Sequence, residues 1–302
     1  MLKKFFVRMA IVVPALVAGT CAHAQSYSNA VMALNPTAYW PLTEATPPPM
    51  PLNLTAANSG SLGSVANGYY GAWYQPSGTT WYLTNNIAQT NAVAPDGQAM
   101  LCQRLPGQYV VVPRNTNGVP NASLTIVPPF SVEAWALIGT VGNANGILVS
   151  EGGFVNLQTS GPDTNNPFYG GLGTGWAGFA FGQYQDYLYF SCMNTNAVGN
   201  KSSELDTTGF NLHQGFSVGQ WVHVVATFDG TTETIYTNGV LSVSKTVAPN
   251  GAGQTYVPDP TSPLMIGSGS DVSASYGVGF QGGLSEVAIY NTALTPDSPH
   301  PF

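Results

Sequence analysis

Residues able to do acid–base or nucleophilic chemistry are few in this chain. Beyond position 24 it holds 14 carboxylates, three histidines (His213, His223, His300) and two cysteines (Cys102, Cys192). Cleaving a glycosidic bond takes two carboxylic groups flanking it, and on one strand they would be spaced so as to share a face. No Glu-x-Asp-x-x-Glu run occurs. Glu133 and Glu286 each stand alone in an apolar, strand-like stretch, which reads as structural, although acids of different strands or sheets can still converge. The nucleophile-elbow serine motif is absent. His223, next to Trp221, has no sequence neighbour to orient it as a general base, so packing and a hydrogen bond are its expected work, and no catalytic residue is assigned.

Two other chemistries remain. Gly161–Pro167 is rich in oxygen donors, and Ser270-Asp271 is a second such spot. Asp163, Asn165 and Asp271 are therefore the candidate ligands for calcium, the one cofactor suggested, which wants several hard oxygens. EF-hand spacing is missing, and Asx-rich loops commonly close on their own backbone, so a plain turn is the favoured reading. The last signal is aromatic. Tyr69, Tyr70, Trp73, Tyr74, Trp81 and Tyr82 crowd a Gly-rich stretch among Asn, Gln, Ser and Thr. Aromatic faces flanked by amides suit a polar-plus-aromatic ligand pocket, such as one that stacks on sugar rings. Tyr70, Trp73, Tyr74 and Trp81 are the candidate ligand-binding residues. The aromatics from Trp176 to Tyr189 are read as core.

These residues sit in a chain marked for export. Lys3, Lys4 and Arg8 precede an apolar run from Met9 to Gly19, and Ala22-His23-Ala24 offers small residues for a cut after Ala24. The run is too short to be a permanent membrane anchor. Residues 1–24 are thus expected to be a signal peptide, with the product secreted, periplasmic or on the cell surface. Processing would leave four bases (Arg104, Arg114, Lys201, Lys245) against 14 acids, a net charge of −10. Such a chain argues against nucleic acid and anionic membranes as partners. It would also leave Cys102 and Cys192 alone, and in an oxidising compartment their bonding and their remaining free stand as even alternatives.

The positioning elements are short strands. A brief helix capped by Ser26 is expected to run through Tyr27, Ala30, Val31 and Leu34 and stop at Asn35-Pro36. Apolar or alternating runs then recur, bounded by Gly, Pro and Asn: 38–42, 108–112, 130–137, 146–150, 177–181, 187–192, 264–266 and 284–290. The clearest is 221–228, where Val222, Val224, Ala226 and Phe228 alternate with His223, Val225 and Thr227. Asp229-Gly230 and Asn238-Gly239 turn two successive hairpins there. This is the pattern of an all-β protein, a two-sheet antiparallel sandwich.

Several segments resemble the laminin G-like, concanavalin A-like lectin/glucanase jelly-roll superfamily, in its exported bacterial form. They are Tyr27–Val31 with Pro36–Glu44, Phe130–Trp135, Gln220–Gly230 with Ile235–Val240, and Gly282–Thr295, in that family's order. Segments near 61–98 and 140–215 are unmatched insertions in one domain spanning 25–302. The resemblance implies a jelly roll of two packed sheets, and it implies that calcium can be structural or ligand-bridging. Ser285 stands where the family usually has Asp, which weakens a metal role there. The prolines of Ser298–Phe302 forbid the family's final helix, so the C-terminus departs from the family pattern.

Fold leaves function to loops. The expected function is a non-catalytic exported binding or adhesion module, lectin-like, for extracellular or cell-wall glycan. The alternatives are a carbohydrate-active enzyme (glycoside hydrolase or lyase) whose acids meet only in the fold, and a structural surface protein binding other proteins.

Overall fold

The computed structural model describes residues 27–44, 55–70, 72–74, 81–83, 89–94, 97–103, 109–112, 115–116, 119–120, 125–139, 145–152, 178–184, 187–193, 208–211, 219–249, 253–259, 263–269 and 279–295. Among them two antiparallel sheets of eight strands face each other. The first runs, from one edge, Val240–Thr246, Thr232–Thr237, Trp221–Phe228, Phe130–Ile138, Gln281–Tyr290, Gly97–Gln103 and Gln89–Ala94, with Ala38–Trp40 added to Gln281–Tyr290 off this path. The second runs Thr208–Asn211, Tyr187–Cys192, Gly178–Tyr184, Asn145–Gly152, Leu264–Ile266, Val110–Val112, Gly68–Tyr70 and Thr55–Ala56. The two-sheet sandwich expected from the strand pattern is what forms.

Alternation explains the faces. Phe130, Val132, Ala134, Ala136 and Ile138 enter the central core together with Val222, Val224, Ala226 and Phe228 of the neighbouring strand. Phe179, Phe181 and Phe190 come from the opposite sheet, and Phe130 meets Phe179 with ring centroids 5.3 Å apart. These phenylalanines fill the core, as read for the aromatics of that stretch. Asn238 and Gly239 take positive φ (47° and 76°), as a two-residue hairpin turn requires.

The two segments that the family motifs leave unmatched contribute strands to the sandwich. Residues 61–98 supply Gly68–Tyr70 and Gln89–Ala94, and residues 140–215 supply four neighbouring strands of the second sheet.

A second apolar layer lies on the outer face of the first sheet. Residues 27–33 are helical, and Tyr27 and Val31 pack there with Tyr39, Val225, Ala288 and Tyr290. The helix ends as anticipated: Asn35 adopts φ 52° and Pro36 follows.

Candidate functional site

Between this helix and the sheet lies a buried polar cluster. Ser131, Glu133 and Trp135 alternate with the core residues of their strand and so face the helix. Trp135 pairs with His223 on one neighbouring strand, and Glu133 pairs with Ala288 on the other. Glu133 is therefore diagonal to His223 and to Tyr290, within reach of long side chains. Its Oε1 accepts from the Tyr27 hydroxyl at 2.6 Å and lies 2.7 Å from His223 Nε2, while Oε2 accepts from Tyr290 at 2.5 Å. Tyr27 and Trp135 also close on the imidazole, with ring centroids 5.9 and 5.3 Å away.

Glu286 enters the same face through a bulge. Leu284 and Val287 both point into the core, so two residues stand where regular alternation allows one, and the register against Phe130–Ile138 slips between Glu133 and Trp135. Glu286 absorbs the slip at φ 54°, a left-handed conformation costly for a side-chain-bearing residue. The bulge is also where the closing strand changes partner, from Gly97–Gln103 at Leu284 to Ala38–Trp40 at Val287. The Glu286 amide donates to the Pro41 carbonyl at 3.2 Å, and its Oε2 accepts from Tyr39 and, at 3.5 Å, from Ser28.

Burial, partly offset by the Ser28 hydroxyl, pushes the Glu286 carboxyl up from 4.5 to about 8. Burial, and then the Glu133 charge, hold the Tyr27 and Tyr290 phenols well above their ordinary range, so both remain donors. Glu133 and Glu286 are 0% and 2% exposed, and the described oxygen contacts are made by the protein's own hydroxyls and imidazole. A substrate would have to displace Tyr27 and the helix to reach them. The arrangement ties the helix to the sheet.

In the sequence Glu133 and Glu286 stand as solitary acids and His223 has no neighbour to orient it. The structure corrects both points: Glu133 orients His223, and Glu133 and Glu286 share one face of one sheet. The hydroxyls of Tyr27 and Ser28 bring the helix to them.

The candidate ligand residues separate. Tyr70 is 0% exposed, with its ring in the central core and its hydroxyl donating to Glu44 at 2.5 Å, so in this structure its ring cannot offer a surface platform. Ala72–Tyr74 pairs with Trp81–Leu83 as a separate two-stranded ribbon, Trp73 opposite Tyr82 and Tyr74 opposite Trp81. The register thus pairs Trp73 with Tyr82 and Tyr74 with Trp81 at successive positions, which alternate between the two faces of the ribbon. Asp163, Asn165 and Asp271 lie outside the described residues. Cys102 and Cys192 are free and buried, one in each sheet. Burial raises the Cys102 thiol to about 12; burial and the adjacent Glu233 carboxylate raise that of Cys192.

A family model described as the concanavalin A-like lectin/glucanases superfamily, of laminin G type, matches residues 108–298. The chain belongs to this superfamily. No curated protein sequence matches it significantly. As a lectin/glucanase-type jelly roll, the chain resembles the binding domain of botulinum neurotoxin serotype D (TM-score 0.50, 12% identity, 89% of this chain and 51% of that one). It also resembles domain 4 of the extracellular arabinanase AbnA of Geobacillus stearothermophilus, solved with arabinotriose (0.46, 14%, 88% and 97%). The sialidase of Trypanosoma rangeli is similar over 94% of this chain and 37% of its own (0.46, 11%). Identities this low speak for fold alone.

Calcium, which the superfamily resemblance implied, finds no group of three or more His, Cys, Asp or Glu side chains suited to a metal among the described residues.

Proposed function

We propose that this chain is a non-catalytic, exported glycan-binding module of the lectin/glucanase superfamily, and that the 72–83 ribbon is its ligand platform. The observation that carries this is the cross-strand pairing of Trp73 with Tyr82 and Tyr74 with Trp81. Two successive cross-strand pairs of this ribbon are aromatic on both strands, and aromatic rings can stack on the C–H faces of sugars while amides and hydroxyls bind sugar hydroxyls. Asn85, Asn86, Gln75, Thr79 and Thr80 adjoin these strands in sequence.

The non-catalytic part rests on the outer-face cluster. Glycosidases need a substrate bond between two carboxylic groups, whereas Glu133 and Glu286 lie beneath the helix with hydroxyls of the same chain on them. Export rests on residues 1–24 alone.

A pull-down of the chain from Gln25 onward with a panel of insoluble polysaccharides, with and without chelator, tests the reading. Retention on at least one polymer without release of reducing sugar is expected. Absence of retention on all of them would overturn the glycan assignment, and released sugar would establish an enzyme. Loss of retention with chelator alone would move the platform to a calcium loop.

A further inference from the structure

The ribbon and the strands that flank it in sequence come from an uncharged length of chain. From Ala45 to Pro95 the sequence has no Asp, Glu, Lys, Arg or His, although at 7% charged overall several would be expected. That length contains Thr55–Ala56 and Gly68–Tyr70 at one edge of the second sheet, then both ribbon strands, then the edge strand Gln89–Ala94 of the first sheet. The opposite edges, Val240–Thr246 and Thr208–Asn211, approach each other across the sandwich. The uncharged strands of the two sheets therefore share the other end.

Glu44 accepts from the Ala57 amide and the Tyr70 hydroxyl. Asp96, Arg104 and Arg114 lie outside the described residues. Lys245 is opposite Glu233 on the far edge strand. The signal-peptide reading leaves only Arg104, Arg114 and Lys201 besides it, against 14 acids.

Recognition of uronate or sulfate sugars relies on clustered Arg and Lys making charge-assisted hydrogen bonds. A net-negative protein also repels polyanions at a distance. Among the described residues of the ribbon and of the strands Thr55–Ala56, Gly68–Tyr70 and Gln89–Ala94 there is no Lys or Arg. What they provide is aromatic rings, primary amides and hydroxyls.

We infer that the glycan bound at the 72–83 ribbon is a neutral polysaccharide, held by stacking and uncharged hydrogen bonds, and that uronate-bearing and sulfated polymers are excluded. The inference rests on the glycan reading above and narrows it to a substrate class.

Affinity electrophoresis of the chain from Gln25 onward tests it. The gels carry neutral polymers (β-1,4-glucan, β-1,3-glucan, xylan, mannan) or acidic ones (polygalacturonate, alginate, chondroitin sulfate). Each is run at about 50 mM and about 500 mM salt, a range over which exposed charge interactions are largely screened. The expected result is retardation by at least one neutral polymer, changed less than about twofold by salt and lost in Trp73→Ala/Trp81→Ala, with acidic polymers inert. Retardation confined to acidic polymers, or weakened about tenfold by salt, would overturn the neutral class while leaving glycan binding intact. Inertness towards every polymer in both sets would overturn the glycan reading and this inference with it.

Discussion

The Tyr27 hydroxyl donates to Glu133 at 2.6 Å across 106 positions of sequence, and through this bond the first helix is fixed to the central strand of the first sheet. Glu133 also accepts from Tyr290 and contacts His223, so one buried carboxylate gathers a helix and three adjacent strands.

Removing the carboxylate should cost more than removing any one donor. Tyr27→Phe deletes one bond to a charged acceptor and is expected to cost about 1–3 kcal/mol. Glu133→Ala leaves buried hydroxyls and an imidazole without their acceptor and is expected to cost about 3–5 kcal/mol. Urea denaturation of the two variants and the double variant checks this, with the double variant less destabilised than the sum. Additive losses would mean that the two residues act independently.

Glu286 gives the fold a pH dependence of definite sign. Its folded pKa of about 8 stands above its ordinary 4.5, so the folded state keeps a proton that the unfolded chain releases. The contribution is therefore fully present below about pH 4.5 and is lost as pH rises through about 8, amounting to a few kcal/mol at most. Tm measured from pH 5 to 9 should fall less steeply in Glu286→Gln than in the parent. Parallel profiles would remove Glu286 as the source.

Both cysteines should resist modification until the sandwich opens. Cys102 and Cys192 are 1% and 0% exposed, free, and raised in pKa, and a buried thiol of this kind is inert. Alkylation of the native protein should label neither, alkylation in denaturant should label both, and reductant should leave Tm unchanged. A Cys102–Cys192 peptide found by mass spectrometry would contradict this.

Glu233 should matter as much as an apolar core residue. Its Oε1 accepts from the Cys192 amide at 2.6 Å, joining the two sheets through the core. Glu233→Ala strips a buried amide of its acceptor and opens a void, so a loss of about 2–4 kcal/mol is expected in chemical denaturation. A loss within about 0.5 kcal/mol, typical of surface sites, would show the bond to be dispensable.

How much of this was legible depended on the range of the interaction. The hairpin around Asn238-Gly239 could be read because a two-residue turn and strict alternation are local. The burial of Tyr70 could not, because Tyr70 and Trp73 share the same local composition. They differ only in that Gly68–Tyr70 pairs with Val110–Val112, some forty positions away. The outer-face cluster was hidden for the same reason: Glu133 meets His223 and Tyr290 across 90 and 157 positions. The bulge at Glu286 left a trace, the three-residue step from Leu284 to Val287 in an otherwise alternating strand. Ser28 and Tyr27 left none, since a hydroxyl on a short helix has many ordinary uses.

The central claim is that the aromatic ribbon holds a glycan. Its most direct measurement is calorimetric titration of the parent and of Trp73→Ala/Trp81→Ala with whichever polysaccharide retains the parent, alongside thermal unfolding of both proteins. Stacking aromatics are binding hot spots, so the double variant should bind at least about tenfold more weakly. Its unfolding temperature should stay close to that of the parent, because the ribbon is separate from the two main sheets. Unchanged affinity in a folded double variant would contradict the account and place binding elsewhere on the sandwich.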